Sequence, residues 1–314
     1  MSKPKISVIM SIYNETEEQI RKSIQSILNQ SFTDFELIIV NDNPNSMEYP
    51  LILKEYAKKD ERIVIINNKT NLGLAKSMNK ACSKAKSDIL ARMDADDIAM
   101  TNRLRLQFNQ IKNDGIDLSF GRFISFDDES GNTLYESEYI DKKYIEKNLA
   151  FKSLIHHPTV MMTKECFYRA GQYRDFPCAQ DYDLWLRIQE TGARIAMTDN
   201  IILKYRIRSN SITSSKKIKQ KLTQEYSRKL LIQRMMRKNK TDSFCKEEYD
   251  EYINKYAKNG KYDALAKRYD KYMLYHTKWY NKIKVILFSP IHRHLFVKLF
   301  MQKIIIKTLR GINR

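Results

Sequence analysis

Three aspartates fall within four positions in "ILARMDADDIAM": Asp94, Asp96 and Asp97, directly behind a short apolar run. Like charges this close repel one another unless solvent, a basic partner or a cation offsets them. Asp94 and Asp96 stand two residues apart, a spacing that points both side chains to one face of an extended segment. Two carboxylates so placed can hold one hard cation, Mg²⁺ or Mn²⁺, or its water shell, while open positions remain for phosphate oxygens. Such an ion offsets the charge that develops on a departing nucleotide diphosphate. Asp97 reads as an acid at the start of the helix that follows, before "NRLRLQ".

A second acidic pair, Asp181 and Asp183 in "QDYDLWLRI", opens a helical pattern. Acids there cap a helix and complement its dipole. One of them can equally serve as a general base that takes a proton from an attacking hydroxyl. Leu184 and Trp185 read as core, and His156 and His157 either line a cleft or serve the structure. No GxxxxGK[ST] or GxGxxG loop is present, and the chain holds eight glycines, so a diphosphate would be held by metal and side chains.

The elements that must position these acids alternate. "KISVIMSIY", "FELIIV", "RIVIIN" and "SDILARM" read as buried strands, separated by helical patterns such as "TEEQIRKSIQSILNQ" and "LAKSMNKACSKA". Ile20, Ile24, Ile27 and Leu28 share one helical face, and Thr16 and Gln19 have capping-box spacing. The alternation predicts an α/β fold with a parallel sheet covered on both faces, whose ligands bind at the carboxyl ends of the strands. Three polar clusters fall at those ends: "SIYNE", "NDNPN" and "RMDADD". Beyond them follow a helix at "NRLRLQFNQIKND", an alternating strand "LSFGRFISF" with a turn at "DDESGN", and a strand and helix ending at Gly171.

Composition bounds the rest. The 314 residues are 42% hydrophobic and 30% charged, which is globular. Four scattered cysteines without a CxxC pair argue against a disulfide framework and a zinc site. Neither a secretory signal nor a run of about 20 apolar residues is found, so a cytoplasmic protein is expected. The net charge of +19 is unevenly placed: 30 Lys and Arg face 29 Asp and Glu over residues 1–213, against 26 and 8 over residues 214–314. A balanced globular domain is therefore expected at 1–213, with nucleotide binding over about 1–100 and the acceptor side over about 101–213. A basic helical region is expected at 214–314.

"ISVIMSIYNE", "FELIIVNDN", "NLGLAKSMNKA", "ARMDADDIAMTNRLRLQ", "HPTVMM" and "QDYDLWLRI" occur in the order seen in family-2 glycosyltransferases of bacterial capsule and O-antigen synthesis. The chain resembles that family over about residues 5–213. The resemblance implies a GT-A fold, an inverting mechanism, a nucleotide-sugar donor (UDP-linked) and a divalent metal, Mn²⁺ or Mg²⁺. By position, Tyr13, Glu15, Asp42 and Asn71 would contact the nucleoside. Asp94 would face the ribose or the metal's water shell, Asp96 would ligate the metal, and Asp181 would be the catalytic base. Gln180 stands where the family usually carries Glu, and Arg208 where many relatives carry His. A sugar-phosphate nucleotidyltransferase is the enzymatic alternative, and a non-catalytic nucleotide-sugar or membrane-binding scaffold the alternative of another class.

After Asp270 no acid remains, while ten Lys or Arg do, interleaved with "VILF" and "III". Residues 271–314 therefore suit an anionic membrane surface, placing the enzyme peripherally on the inner face of the plasma membrane beside a lipid-linked or oligosaccharide acceptor. The competing reading is a helical subdomain packed on the core. No nucleic-acid module accompanies the basic residues, so nucleic acid is not expected as a partner. A helical C-terminal region could also mediate a homodimer.

Overall fold

A computed structural model describes residues 3–207, 214–257 and 290–312. Arg208 and the stretch 271–289 singled out in the sequence lie outside the described residues. The chain divides into two compact units, residues 1–209 and 210–314.

The first unit is α/β. Its strands are β1 (Ile6–Ile12), β2 (Phe35–Asn41), β3 (Ile63–Asn67), β4 (Ile89–Asp94), β5 (Ile98–Ala99), β6 (Leu118–Asp127), β7 (Thr133–Glu136), β8 (Met161–Thr163) and β9 (Ile195–Ile207). They form one sheet in the order β3-β2-β1-β4-β8-β6-β9-β5, with β7 paired to β6. Strands β3, β2, β1 and β4 run parallel, β8 is antiparallel to both β4 and β6, and β9 is parallel to β6. The helices are α1 (Glu17–Leu28), α2 (Glu48–Lys59), α3 (Leu74–Lys84), α4 (Arg103–Asn113), α5 (Lys142–Asn148), α6 (Lys164–Arg169) and α7 (Gln180–Glu190). The result is a mixed sheet flanked by helices, as the resemblance to the GT-A fold implies.

Alternation along the strands feeds two cores, one on each face. Val8, Met10 and Ile12 join Leu37 and Ile39 and the α1 residues Ile20, Ile24 and Ile27 on one side. Ile9, Ile38 and Val40 join Met78, Ala81 and Cys82 of α3 and Leu184, Trp185 and Ile188 of α7 on the other. Helix α1 opens with the capping box read in the sequence: the Thr16 hydroxyl accepts from the Gln19 amide at 3.3 Å, and the Gln19 carbonyl from the Thr16 amide at 3.0 Å. The turn at "DDESGN" joins β6 to β7, and Gly171 and Gly192 follow α6 and α7 with φ of +79° and +76°.

The second unit is helical: α8 (Ser214–Met236), α9 (Lys246–Ala257) and α10 (Pro290–Ile312). Leu222, Tyr226 and Leu230 of α8, Tyr249 and Ile253 of α9, and Ile306 of α10 are buried. Arg228 of α8 donates to Gln302 of α10 at 2.9 Å, and Gln302 donates to the Glu225 carbonyl at 3.1 Å. No helix among the described residues is long and apolar enough to cross a membrane.

The long β6–β9 pair shifts register between Gly121 and Phe123, and Gly121 sits at the shift opposite Thr198. A Cβ there would lie 2.5 Å from Ile202 Cδ1 and 2.7 Å from Thr198 Cγ2, so the close approach requires glycine. Gly121→Ala is expected to destabilise the fold by about 1–3 kcal/mol. Urea unfolding measures this, and an unchanged midpoint would contradict the tight crossing.

Candidate active site

The register of the parallel strands builds the site. Ser11 pairs with Asp94, Ile12 with Asn41, and Asn41 with Asn67, so β1 to β4 end level on one rim. Loops leave the sheet there, and their polar residues hold one another. Glu15 curls back to accept the Tyr13 amide at 2.7 Å and the Asn14 amide at 3.2 Å, leaving the Tyr13 ring half exposed. Asn43 donates to the Tyr13 carbonyl at 2.8 Å, tying the β1 and β2 loops together. Asp42 is buried. One of its oxygens accepts from Asn68 (2.7 Å) and the Leu72 amide (2.9 Å), the other from the Gly73 amide (2.9 Å). Asn71 also accepts from the Gly73 amide, at 3.0 Å, and remains exposed. Both oxygens of Asp42 thus fix the loop over β2 and β3.

The three aspartates converge, but not as an extended segment. Strand β4 ends at Asp94 and the chain turns through Ala95 and Asp96, which brings carboxylate oxygens of Asp94, Asp96 and Asp97 within 4.8 Å of one another. Asp97 is not the helix-start acid the sequence implied: α4 begins only at Arg103, and Asp97 is fully buried. Its Oδ1 accepts the Arg206 amide at 2.9 Å, while its Oδ2 is buried without a hydrogen-bond partner. Burial first, then the charges of Asp94 and Asp96, push the Asp97 carboxyl well above the usual range. Convergent oxygens, a surplus of negative charge and a buried oxygen lacking a partner are what a hard divalent cation satisfies; the residues fit the metal.

Buried arginines hold this cluster. Arg92 pairs with Asp94 from within β4, with its Nε and Nη1 buried and unpartnered. Arg206 of β9 donates its Nε to the Asp96 carbonyl at 2.6 Å, pairs with Asp128, and lies 4.7 Å from the Phe126 ring. Gln19 donates to the other Asp128 oxygen at 3.1 Å. Arg103, fully buried, donates to the Arg92 carbonyl at 2.5 Å and to Gln107 at 3.2 Å; burial and the nearby Arg92 push it down to about 9. Gln107 in turn donates to the Thr159 carbonyl at 2.8 Å, linking α4 to the turn before β8. Arg92, Arg206 and Asp128 went unread in the sequence. The only signal for Arg206 was charge on alternate positions of "LKYRI".

Asp181 and Asp183 part company. Asp183 is fully buried and paired to Arg187 at 2.7 Å and Arg174 at 3.6 Å, so it anchors α7. Neither acid caps the helix, because Ala179 takes the cap position with no side-chain bond. Asp181 is half buried. Burial raises its carboxyl, the amides of Tyr182 and Asp181 and the charge of Arg92 hold it down, and Asp94 raises it again. It therefore shares an electrostatic neighbourhood with Arg92 and Asp94. Gln180 is buried beside it.

The two histidines also differ. His157 is buried, with its Nε2 2.8 Å from the Tyr173 hydroxyl. His156 stacks on Phe123 at 4.1 Å and meets Tyr205 edge-on at 4.4 Å, with its Nε2 buried and unpartnered. Burial pushes its imidazole down to about 4.

Residues 7–169 match the Glycosyl transferase family 2 domain. Over 232 residues the sequence is 39% identical to the uncharacterized glycosyltransferase MJ1057 of Methanocaldococcus jannaschii, covering 73% of this chain and 80% of the relative. The chain belongs to glycosyltransferase family 2. This glycosyltransferase is also 35% identical over 213 residues to the O-antigen biosynthesis glycosyltransferase WbnJ of Escherichia coli, covering 67% of this chain and 82% of that one. Its fold is similar to that of S. aureus TarS 1-349, solved in complex with UDP-GlcNAc. The TM-score is 0.59 at 16% identity, over 98% of this chain and 92% of that one.

The neutral His156 gives the glycosyltransferase a pH signature. The unfolded imidazole protonates below about 6.5, whereas the folded one resists until about 4. Stability from the buried neutral ring is therefore present above pH 6.5 and is lost as pH falls towards 4. His156→Phe is expected to gain on wild type across that interval, read as the difference in urea midpoints. A difference that stays constant with pH would contradict a buried neutral ring.

Proposed function

We propose that the enzyme transfers a sugar, with inversion, from a nucleotide-sugar donor of the UDP class to a hydroxyl of a lipid-linked glycan in surface-polysaccharide synthesis. The observation that carries the chemistry is the three-carboxylate cluster at the end of β4, on the rim where β1 to β4 end level, with a half-buried Asp181 whose carboxyl feels the charges of Arg92 and Asp94. The O-antigen relative and the UDP-GlcNAc complex of the structural neighbour support the substrate class.

The half-exposed Tyr13 ring offers the nucleobase a stacking face, Asn71 offers an exposed amide, and Glu15 and Asp42 hold the loops on either side. Asp96, with Asp94 and Asp97, would hold Mn²⁺ or Mg²⁺, and the ion when bound offsets diphosphate charge. Asp181 takes the proton from the acceptor hydroxyl as its oxygen bonds to the anomeric carbon and the bond to the diphosphate oxygen breaks. Its raised carboxyl brings it nearer the working pH, as a general base requires. Gln180 contributes a neutral amide, which leaves Asp181 to act alone.

With purified protein, UDP-sugars and Mn²⁺, release of UDP into a lipid-linked acceptor reaction is the readout. Asp181→Asn is expected to lower kcat by at least ~100-fold. Asp96→Ala and chelation by EDTA are both expected to abolish turnover, with Mn²⁺ restoring only the chelated wild type. Turnover that persists in Asp181→Asn would overturn the reading.

A place beside a lipid-linked acceptor is supported by α10, where Phe300, Met301, Ile304 and Ile305 are exposed on a helix that also carries Lys303, Lys307 and Arg310. Apolar side chains among lysines suit the interface of an anionic bilayer. Co-sedimentation with phosphatidylglycerol vesicles is expected, weakening with added NaCl and strongly reduced by Ile304→Asp with Ile305→Asp. Equal sedimentation of wild type and double variant would exclude α10 as the contact.

A further inference from the structure

A cavity of about 570 Å³ opens between β6, β7 and α5, on the side of the acidic cluster away from β1, β2 and β3. The volume lies within the range of about 300–1,000 Å³ typical of small-molecule sites. Its walls carry Tyr135, Tyr139 and Tyr144, all more than a third exposed, together with exposed Glu138 and Lys152. Single exposed tyrosines are ordinary surface, but three around one cavity form a patch, and such patches mark binding sites. Lys152 is already engaged: its ammonium donates to the Tyr144 hydroxyl at 2.9 Å and lies 5.6 Å from that ring.

The cavity reaches the chemistry through its floor. His156 lines it and touches both Phe123 and Tyr205. Tyr205 immediately precedes Arg206, whose amide donates to Asp97 Oδ1 at 2.9 Å, so the aromatic chain from the cavity ends one residue from a contact with the acidic cluster. Donor-side residues, Tyr13, Asp42 and Asn71, follow β1, β2 and β3 at the other end of the sheet order.

We infer that this cavity is the acceptor subsite and that it takes an uncharged hexopyranose unit, a hexose or an N-acetylhexosamine. The apolar face of a pyranose presents polarised C–H bonds, which pack on the negative face of a tyrosine ring. Hydroxyls at the sugar's edge meet the Glu138 carboxylate and tyrosine hydroxyls. An anionic sugar would face Glu138 and Asp141 against the single charge of Lys152, so charge disfavours uronic acids. This assignment rests on the transferase reading, and it fixes the class of sugar that must receive the transfer.

The test uses the full chain and saturation-transfer NMR with methyl glycosides of glucose, galactose, mannose, N-acetylglucosamine, N-acetylgalactosamine and glucuronic acid. At least one neutral glycoside is expected to bind and glucuronide not to. Tyr135→Ala with Tyr139→Ala, both at exposed positions, is expected to weaken that binding by roughly tenfold. Binding of UDP, measured on the same samples, should not change, because the donor-side residues follow β1, β2 and β3. No neutral glycoside binding, preference for the glucuronide, or binding that survives the double variant would overturn the assignment. Displacement of the glycoside by UDP would also overturn it, by placing the cavity on the donor side. Absence of UDP release by wild type when donor and lipid-linked acceptor are both supplied would instead defeat the transferase reading while glycoside binding still decides the cavity.

Discussion

Repulsion among the carboxylates of Asp94, Asp96 and Asp97 is the constraint around which this fold is arranged. Oxygens within 4.8 Å of one another do not stay together unless something holds the backbone that carries them. The holding is done from beneath by buried arginines. Arg92 neutralises Asp94 directly, Arg206 binds Asp97 and the Asp96 carbonyl through its backbone and Nε, and Arg103 clamps the Arg92 carbonyl. These groups would be expensive to bury singly, and their mutual hydrogen bonds offset that cost. What they leave uncompensated is the Asp97 Oδ2 and the excess negative charge facing the rim, which together favour a divalent cation.

The sheet explains why the cluster is reachable from two sides. Parallel strands β1 to β4 bring their carboxyl ends level and give the nucleotide side its loops. Beyond β4 the direction reverses at β8, and the long β6–β9 pair then carries Arg206 under the cluster and Phe123 towards His156. A uniformly parallel sheet would have set polar loops on both sides. Reversal replaces them with strand surface, and strand surface can be aromatic. One flank of the cluster is thus polar and loop-built, and the other carries the aromatic residues Phe123 and Tyr205 on β6 and β9, the contrast on which the proposed donor and acceptor sides rest.

What the sequence made legible is local. Continuous apolar runs revealed β1 to β4, since strands buried on both faces need no polar alternation. Thr16 and Gln19 revealed the start of α1, because the capping box is a contact within one turn. What it hid is long-range. Asp97 looks like any acid ahead of a helix until Arg206, more than a hundred residues later, is seen to bind it. Strand β5 has two residues and exists only through its pairing with β9. Asp42 reads as a rim acid, yet both its oxygens serve donors some thirty positions on. Asp181 and Asp183 share a motif and a helix turn, but Asp183 is buried against Arg187 and Arg174 while Asp181 stays half exposed.

That separation has a backbone cause. Ala179 stands at φ 52° and ψ 26°, a left-handed conformation that costs a residue with a Cβ about 1–2 kcal/mol. A helix could begin more cheaply, with a side-chain cap and an extended residue, as α1, α5 and α6 do. The left-handed residue instead sets how the chain enters the first turn of α7, where Asp183 meets Arg187 and Arg174 while Asp181 stays half exposed near Arg92 and Asp94. Strain of this kind persists only where surrounding contacts over-determine it, and here they do: Trp185 and Leu184 are fully buried and Asp183 is doubly paired. The helix is thus locked from its buried face, and the strained residue at its start is held by that lock while Asp181 in the first turn stays half exposed.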